Sequence, residues 1–95
     1  MNVRVTEFGL QTSKIDEAGT MYQNAMEEAL QYEGFIRGML LTDRDTGKAF
    51  SITLWESEAA EEASRQSLHQ VQLVKFARVM TGSPTSGNYE LIYEG

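Results

Sequence analysis

The stretch Ser51-Ile52-Thr53-Leu54-Trp55-Glu56-Ser57 decides the fold. Its first five residues alternate, with Ser51, Thr53 and Trp55 on one parity and Ile52 and Leu54 on the other, which is the period of a strand. Ser57 is an N-cap residue, and Glu58, Glu61 and Glu62 crowd the first turns beyond it, where the positive end of a helix dipole favours anions. A strand therefore runs directly into a capped helix. Upstream, Asp43-Arg44-Asp45-Thr46-Gly47 has the Asp and Gly residues of a hairpin loop. Residues 35–42 on its far side are apolar on both parities (Phe35, Met39, Leu41; Ile36, Leu40), as expected of a strand covered on both faces. In the return strand Phe50, Ile52 and Leu54 oppose Ala49, Ser51, Thr53 and Trp55. Only one of these faces can meet the chain's own helices.

Further from the hairpin, residues 3–8 alternate Val3, Val5 and Glu7 against Arg4, Thr6 and Phe8 and stop at Gly9, giving a first strand. Ser13 is read as an N-cap with Asp16 three residues on. The helix that follows carries Ile15, Ala18, Tyr22, Ala25, Met26, Ala29 and Leu30 on one face for about five turns, and ends near Gly34. After Ser57, Ala60, Ala63, Ser67, Val71 and Val74 form a narrow small-residue stripe. Leu73, Phe76, Ala77 and Met80 point another way, so a bend or break is expected near residues 69–72. Residues 81–87, Thr-Gly-Ser-Pro-Thr-Ser-Gly, read as a loop holding the only proline, Pro84. Residues 88–94 alternate again and read as the last strand.

The order β-α-β-β-α-β within 95 residues predicts one α+β domain, residues 1–95, with the ferredoxin-like arrangement: an antiparallel sheet with both helices on one face. The other face is left open. Two sheets closing face to face would cover it, and so short a domain buries only about 60–65% of its unfolded surface, which is itself an argument for a partner. A homodimer whose sheets pack face to face is the expectation.

Eight basic and fourteen acidic residues leave a formal charge of -6, which opposes binding to phosphate backbones and anionic membranes. Neither nucleic acid nor membrane is an expected partner. With no cysteine there is no disulfide, thiolate metal site or thiol nucleophile. The start, MNVRVTEF, has no signal-peptide character, and a cytoplasmic protein is expected.

Gly34-Phe35, the apolar strand, Asp43-Arg44-Asp45-Thr46-Gly47, and Ile52-Thr53-Leu54-Trp55-Glu56-Ser57 before an Ala-rich helix resemble the antibiotic biosynthesis monooxygenase type of dimeric α+β barrel. The resemblance spans nearly the whole chain and is most specific between Gly34 and Ala63. It implies an apolar cavity between helices and sheet and, in some members, oxygenation without metal, flavin or haem. No cofactor is therefore expected. Haem-degrading relatives carry an Asn on the first strand and a Trp and a His on the second helix. Here those helical positions hold Ala63 and Leu73, which argues against that chemistry.

Two function classes follow: a cofactor-independent monooxygenase-like protein acting on a small aromatic or polyketide-like molecule, and a non-catalytic homodimeric ligand-binding or stress-associated protein. His69, the only side chain titrating near neutrality, is the candidate base, although no Asp or Glu at helical spacing orients it. Trp55 is a candidate pocket wall and equally a core anchor. Tyr22, Met26 and Phe76 are candidate lining residues, at spacings any core stripe also shows. Arg37, in an apolar strand, is expected to pair with an acid such as Glu90 or to hold an anionic substrate group. The glutamates after Ser57 are read as helix-end electrostatics, and no metal site is expected.

Overall fold

A computed structural model describes residues 1–95. Four strands, β1 (Asn2–Leu10), β2 (Phe35–Thr42), β3 (Lys48–Trp55) and β4 (Met80–Glu90), form one antiparallel sheet in the order β2-β3-β1-β4. Helix α1 (Ile15–Ala29) links β1 to β2. The link from β3 to β4 is α2 (Glu58–Ser64), a π-helical turn (Arg65–His69) and α3 (Gln70–Phe76). This is the ferredoxin-like α+β architecture, and no helix is long and apolar enough to cross a membrane.

Local chemistry explains the boundaries. Ser57 Oγ accepts from the Ala60 backbone N–H and starts α2. Gly47, at φ 82°, closes the hairpin loop because a Cβ there would strike the Leu10 carbonyl. The first helix differs from expectation. Ser13 lies inside a short 3-10 turn, Thr12–Lys14, and caps nothing, while α1 ends at Ala29 and leaves Leu30 exposed.

The larger correction concerns residues 81–87, which belong to β4, whereas residues 91–95 carry no strand. Pro84 is compatible with β4 because that strand lies at the sheet edge, where a missing N–H costs no ladder bond. It also falls in the irregular stretch where the register to β1 shifts between Glu7 and Gly9.

The register sorts every strand residue to one of two faces. Asn2, Arg4, Thr6 and Phe8 share the helix-covered face with Ala49, Ser51, Thr53, Trp55 and Gly38. Val3, Val5, Phe50, Ile52, Leu54, Met39, Leu41 and Tyr89 share the open face. On β1 the polar parity is thus the one covered by helices, with Arg4 and Thr6 buried. Helix α2 behaves alike: Glu61 and Ser64 are buried, while Ala63, Ser67, Val71 and Val74 of the expected inward stripe are exposed. The core is consequently split into two apolar clusters. One holds Leu10, Ile15, Ala18, Ala49, Phe76 and Val79, and the other Ala29, Trp55 and Leu68.

Candidate active site

Between the two clusters lies a cavity of about 70 Å³, walled by residues of α1, the sheet, the π-helical turn and α3. The sheet supplies Arg4, Thr6, Phe8, Phe35, Ser51, Thr53 and Trp55 to its floor. Tyr22, Met26 and Ala29 close it from α1, and Leu68, His69, Leu73 and Phe76 from the other helical segment. Gly38 makes room at one side, since a Cβ there would collide with Met26 Sδ and stand 3.0 Å from Tyr22 Oη.

The polar groups of the wall are mostly satisfied by one another. Tyr22 Oη donates to the Met39 carbonyl at 3.0 Å and shares a hydrogen bond with Ser51 Oγ at 2.9 Å. Burial raises the Tyr22 pKa above the usual phenol value, against the bond to Ser51 and the charge of Arg4, so it is a neutral phenol at pH 7. Trp55 is fully buried. Its Nε1–H donates to Thr53 Oγ1 at 3.0 Å, and its ring meets Phe35 edge-on at 5.1 Å. The indole is therefore a wall and a platform, with its donor already committed.

Arg4 is the one permanent charge of the wall. Only 5% exposed, it lies 5.8 Å from the Trp55 ring centre, within range of a cation–π contact. Its Nη1 donates to Glu61 Oε1 at 3.2 Å and to Ser64 Oγ at 3.3 Å. Glu61 is fully buried and also receives Arg65, whose Nη2 reaches Oε2 at 2.6 Å and whose Nε reaches both carboxylate oxygens at 3.2 Å. Burial alone would raise the Glu61 pKa. Hydrogen bonds from Arg65 and Asn88 and the charges of both arginines outweigh it and hold the carboxyl below its usual range. Burial lowers the Arg4 pKa against the pull of Glu61, yet an arginine remains cationic.

His69 lies at the end of the π-helical turn, half-buried in the cavity wall, with no side-chain hydrogen bond to any protein group. Burial first, then the charge of Arg4, pushes its pKa down to about 4; Glu61 opposes and Arg65 adds to the effect. At neutral pH it is an uncharged imidazole.

Of the residues singled out in the sequence, Tyr22, Met26, Trp55, Phe76 and His69 meet at this cavity. Arg37 does not. It points to the open sheet face and pairs at 2.8 Å with Glu94, both side chains being more than half exposed, so it has no part in the cavity. The sequence reading missed Arg4, Glu61 and Ser64. Arg4 stood in the alternation of the first strand with no face assigned to it, and Glu61 was read as a helix-end charge. The one available signal for Arg4 was that it shares its parity with Phe8, although Val3 and Val5 on the other parity are as apolar. No group of three or more His, Cys, Asp or Glu side chains is arranged to hold a metal ion.

These features define a class: a small ferredoxin-like α+β domain with one internal cavity between helices and sheet and an apolar outer sheet face. The chain belongs to the antibiotic biosynthesis monooxygenase family, whose family model matches residues 1–75. Solved structures agree in fold. One is a Nitrosomonas europaea protein provisionally assigned as an antibiotic biosynthesis monooxygenase, with a TM-score of 0.79 and 15% identity over 98% of this chain and 100% of the other. A second is SnoaB, a cofactor-independent oxygenase from Streptomyces nogalater in its N63A form, at 0.75 and 18% over 98% and 94%. A third is Rv0793 of Mycobacterium tuberculosis, at 0.76 and 12% over 98% and 96%. At such identities the likeness speaks to fold alone. No curated protein matches the sequence.

Proposed function

We propose that this protein is a cytoplasmic, homodimeric, cofactor-independent oxygenase of small aromatic molecules. The carrying observation is the cavity with largely apolar walls, the buried Trp55 platform and a single buried cation, Arg4. Such a site serves the reaction in two ways: its apolar walls limit the water around a bound ring, and it offers positive charge to the electron-rich anion that reacts with O₂. For an anthrone-type substrate, loss of a proton gives the anion. Its ring carbon then bonds to one oxygen atom, and the resulting peroxide expels water to leave a carbonyl. One molecule of O₂ is consumed, one oxygen atom is kept and the other leaves as water.

The cavity is smaller than a usual preformed ligand site of several hundred Å³. A single ring, as in the quinols, is the size nearest the void, and a three-ring anthrone requires the flexible side chains of Met26 and Met80 to give way. Dimerisation is supported by the open sheet face, whose Met39, Leu41 and Tyr89 are 40%, 48% and 59% exposed, an apolar patch that monomers rarely leave uncovered.

The test is oxygen uptake by pure protein with a panel of substituted quinols and 1,8-dihydroxyanthrone. Uptake above the buffer rate, with ¹⁸O from O₂ in the product, is the expected result. A flat trace across the panel sinks the oxygenase reading and favours a non-catalytic homodimeric binder, for which the weakly basic His69 already speaks.

A further inference from the structure

Arg4 is incompletely matched by the protein. Both of its side-chain hydrogen bonds leave from Nη1, while the donors on Nη2 and Nε find no protein acceptor. A guanidinium offers five N–H groups in a planar fork, and since the one fully enclosed side-chain polar atom without a partner is Asn2 Oδ1, the unpaired Nη2 and Nε groups of Arg4 keep some accessible surface. Arg4 is 95% withdrawn from solvent by its 5% exposure, yet it forms part of the cavity wall, so what remains open faces the void. The charges give the same picture. Glu61 is a single carboxylate shared by two arginines, and Arg65 holds it with the shorter contact and through both oxygens. Glu58 and Glu62 act on Arg65 from the exposed side of the helix. Arg4 has no carboxylate but Glu61, which it shares with Arg65, and it is the cation that reaches the cavity. Among the other wall groups Tyr22, Ser51 and Thr53 bond among themselves or to neighbours, Thr6 Oγ1 is bonded to Ser86 and Gln72 to Glu28; His69 is free as well, but as an uncharged imidazole it offers a single neutral N–H where Arg4 offers a charged fork.

We propose that the cavity takes its ligand as a monoanion, an aromatic ring whose oxyanion, phenolate or carboxylate, sits on the Nη2–Nε edge of Arg4. Glu61 is the positioning residue: with Ser64 it fixes Nη1 and so aims the opposite edge of the guanidinium into the void. The ring lies among Trp55, Met26, Leu68 and Phe76. A cationic ligand is rejected, and a neutral isostere leaves the Arg4 donors unmatched. The overall charge of -6 does not reach this site strongly, since exposed charges beyond about 8 Å are screened at physiological ionic strength. The inference deepens the oxygenase reading by naming the state in which the substrate binds, but it concerns binding alone and stands or falls separately from turnover.

Titrations of ¹⁵N-labelled protein with benzoate, 4-nitrophenolate, benzyl alcohol and benzylamine test it, with the Arg4 Nε–Hε signal as direct readout. At least one of the two anions binds about tenfold or more tightly than benzyl alcohol, the size of a charge-assisted hydrogen bond, and shifts the Arg4 signal, while benzylamine does not bind. Which anion prevails tells carboxylate from phenolate. Arg4→Gln removes the preference. Equal binding of anion and alcohol, anion binding without a change at Arg4, or no binding of any of the four overturns the proposal. These wild-type measurements decide it even where Arg4→Gln does not fold. Binding of the anions with no oxygen uptake refutes the oxygenase and leaves this assignment in place.

Discussion

Glu61→Gln and Arg4→Met should destabilise the protein by very different amounts, although they cut the same contact. In the wild type Glu61 is fully buried between two arginines, and Arg65 binds it through both oxygens whereas Arg4 makes one 3.2 Å contact. Removing the carboxylate strands a buried cation, a loss of about 3–5 kcal/mol. Removing Arg4 leaves Glu61 held by Arg65 and takes an incompletely paired cation out of the interior, so about 1 kcal/mol is expected. In the double variant the stranded charge is gone, and the cost should return to about 1–2 kcal/mol, a coupling of at least about 2 kcal/mol. Urea unfolding followed through the single buried Trp55 reports this. With m near 1–2 kcal/mol/M, typical of small domains, Glu61→Gln lowers the midpoint by about 1.5 M or more and Arg4→Met by about 1 M or less. Protomer concentration must be the same throughout, because a dimer's apparent stability depends on it. Equal losses for the two single variants, or a double variant that costs their sum, would refute the reasoning.

Four further outcomes follow. The folded protein takes up a proton on His69 only near pH 4, whereas the unfolded chain does so near 6.5. Stability is therefore full above pH 6.5 and falls by about 2–3 kcal/mol toward pH 4. His69→Leu should flatten that limb in denaturation curves taken at successive pH values, and an unchanged limb would disprove the assignment. The depressed Glu61 pKa acts at still lower pH, its stabilisation being lost as the pH falls below the ordinary carboxylate range, and this loss should persist in His69→Leu but vanish in Glu61→Gln. Gly38→Ala should keep the fold, because the flexible Met26 can shift, but close part of the cavity and weaken binding of any aromatic ligand about tenfold or more, measured by calorimetry. Met39→Lys on the open sheet face should halve the mass seen by light scattering on a size-exclusion column; an unaltered mass places the subunit contact elsewhere.

The sequence made the architecture legible where local chemistry and hydrophobic period agree. Ser57 caps α2, the loop at residues 43–47 closes the hairpin, and β3 alternates as written. It failed where another force overrode the period. Residues 81–87 look like a loop because Gly, Ser and Pro are poor strand residues, but an edge strand with an irregular register tolerates them. In the second helical segment Ala63, Val71 and Val74 of the small-residue stripe are exposed, while Glu61, read as a helix-end charge, is buried together with Ser64. A charge can be buried when its partner is buried with it, and the partner on β1, Arg4, lies 57 residues from Glu61 and 60 from Ser64 in sequence. A break was expected at residues 69–72, and the π-helical turn occupies Arg65–His69, slightly upstream, because the two apolar stripes constrain only the rotation between them and not the residue at which it occurs. Tyr22, Met26, Trp55 and Phe76 were legible as apolar lining. Their gathering around Arg4 was not, since parity alone does not say which side of β1 the helices cover.

That π-helical turn turns the site into a matter of counting. Each residue of an α-helix advances the chain by about 100°, and a wider i→i+5 turn accommodates one more residue in the same axial length. Leu68 and His69 lie in the wide turn and Leu73 and Phe76 beyond it, and all four face the cavity. A one-residue deletion between Arg65 and Leu68 would let the segment close into continuous α-helix, and because the wide turn holds its extra residue locally, Leu73 and Phe76 would keep their places against the cavity. The same deletion within α3, where no wide turn absorbs it, would rotate everything downstream by about a quarter turn and take Phe76 out of the wall, while leaving the sheet, the arginine and its carboxylate untouched.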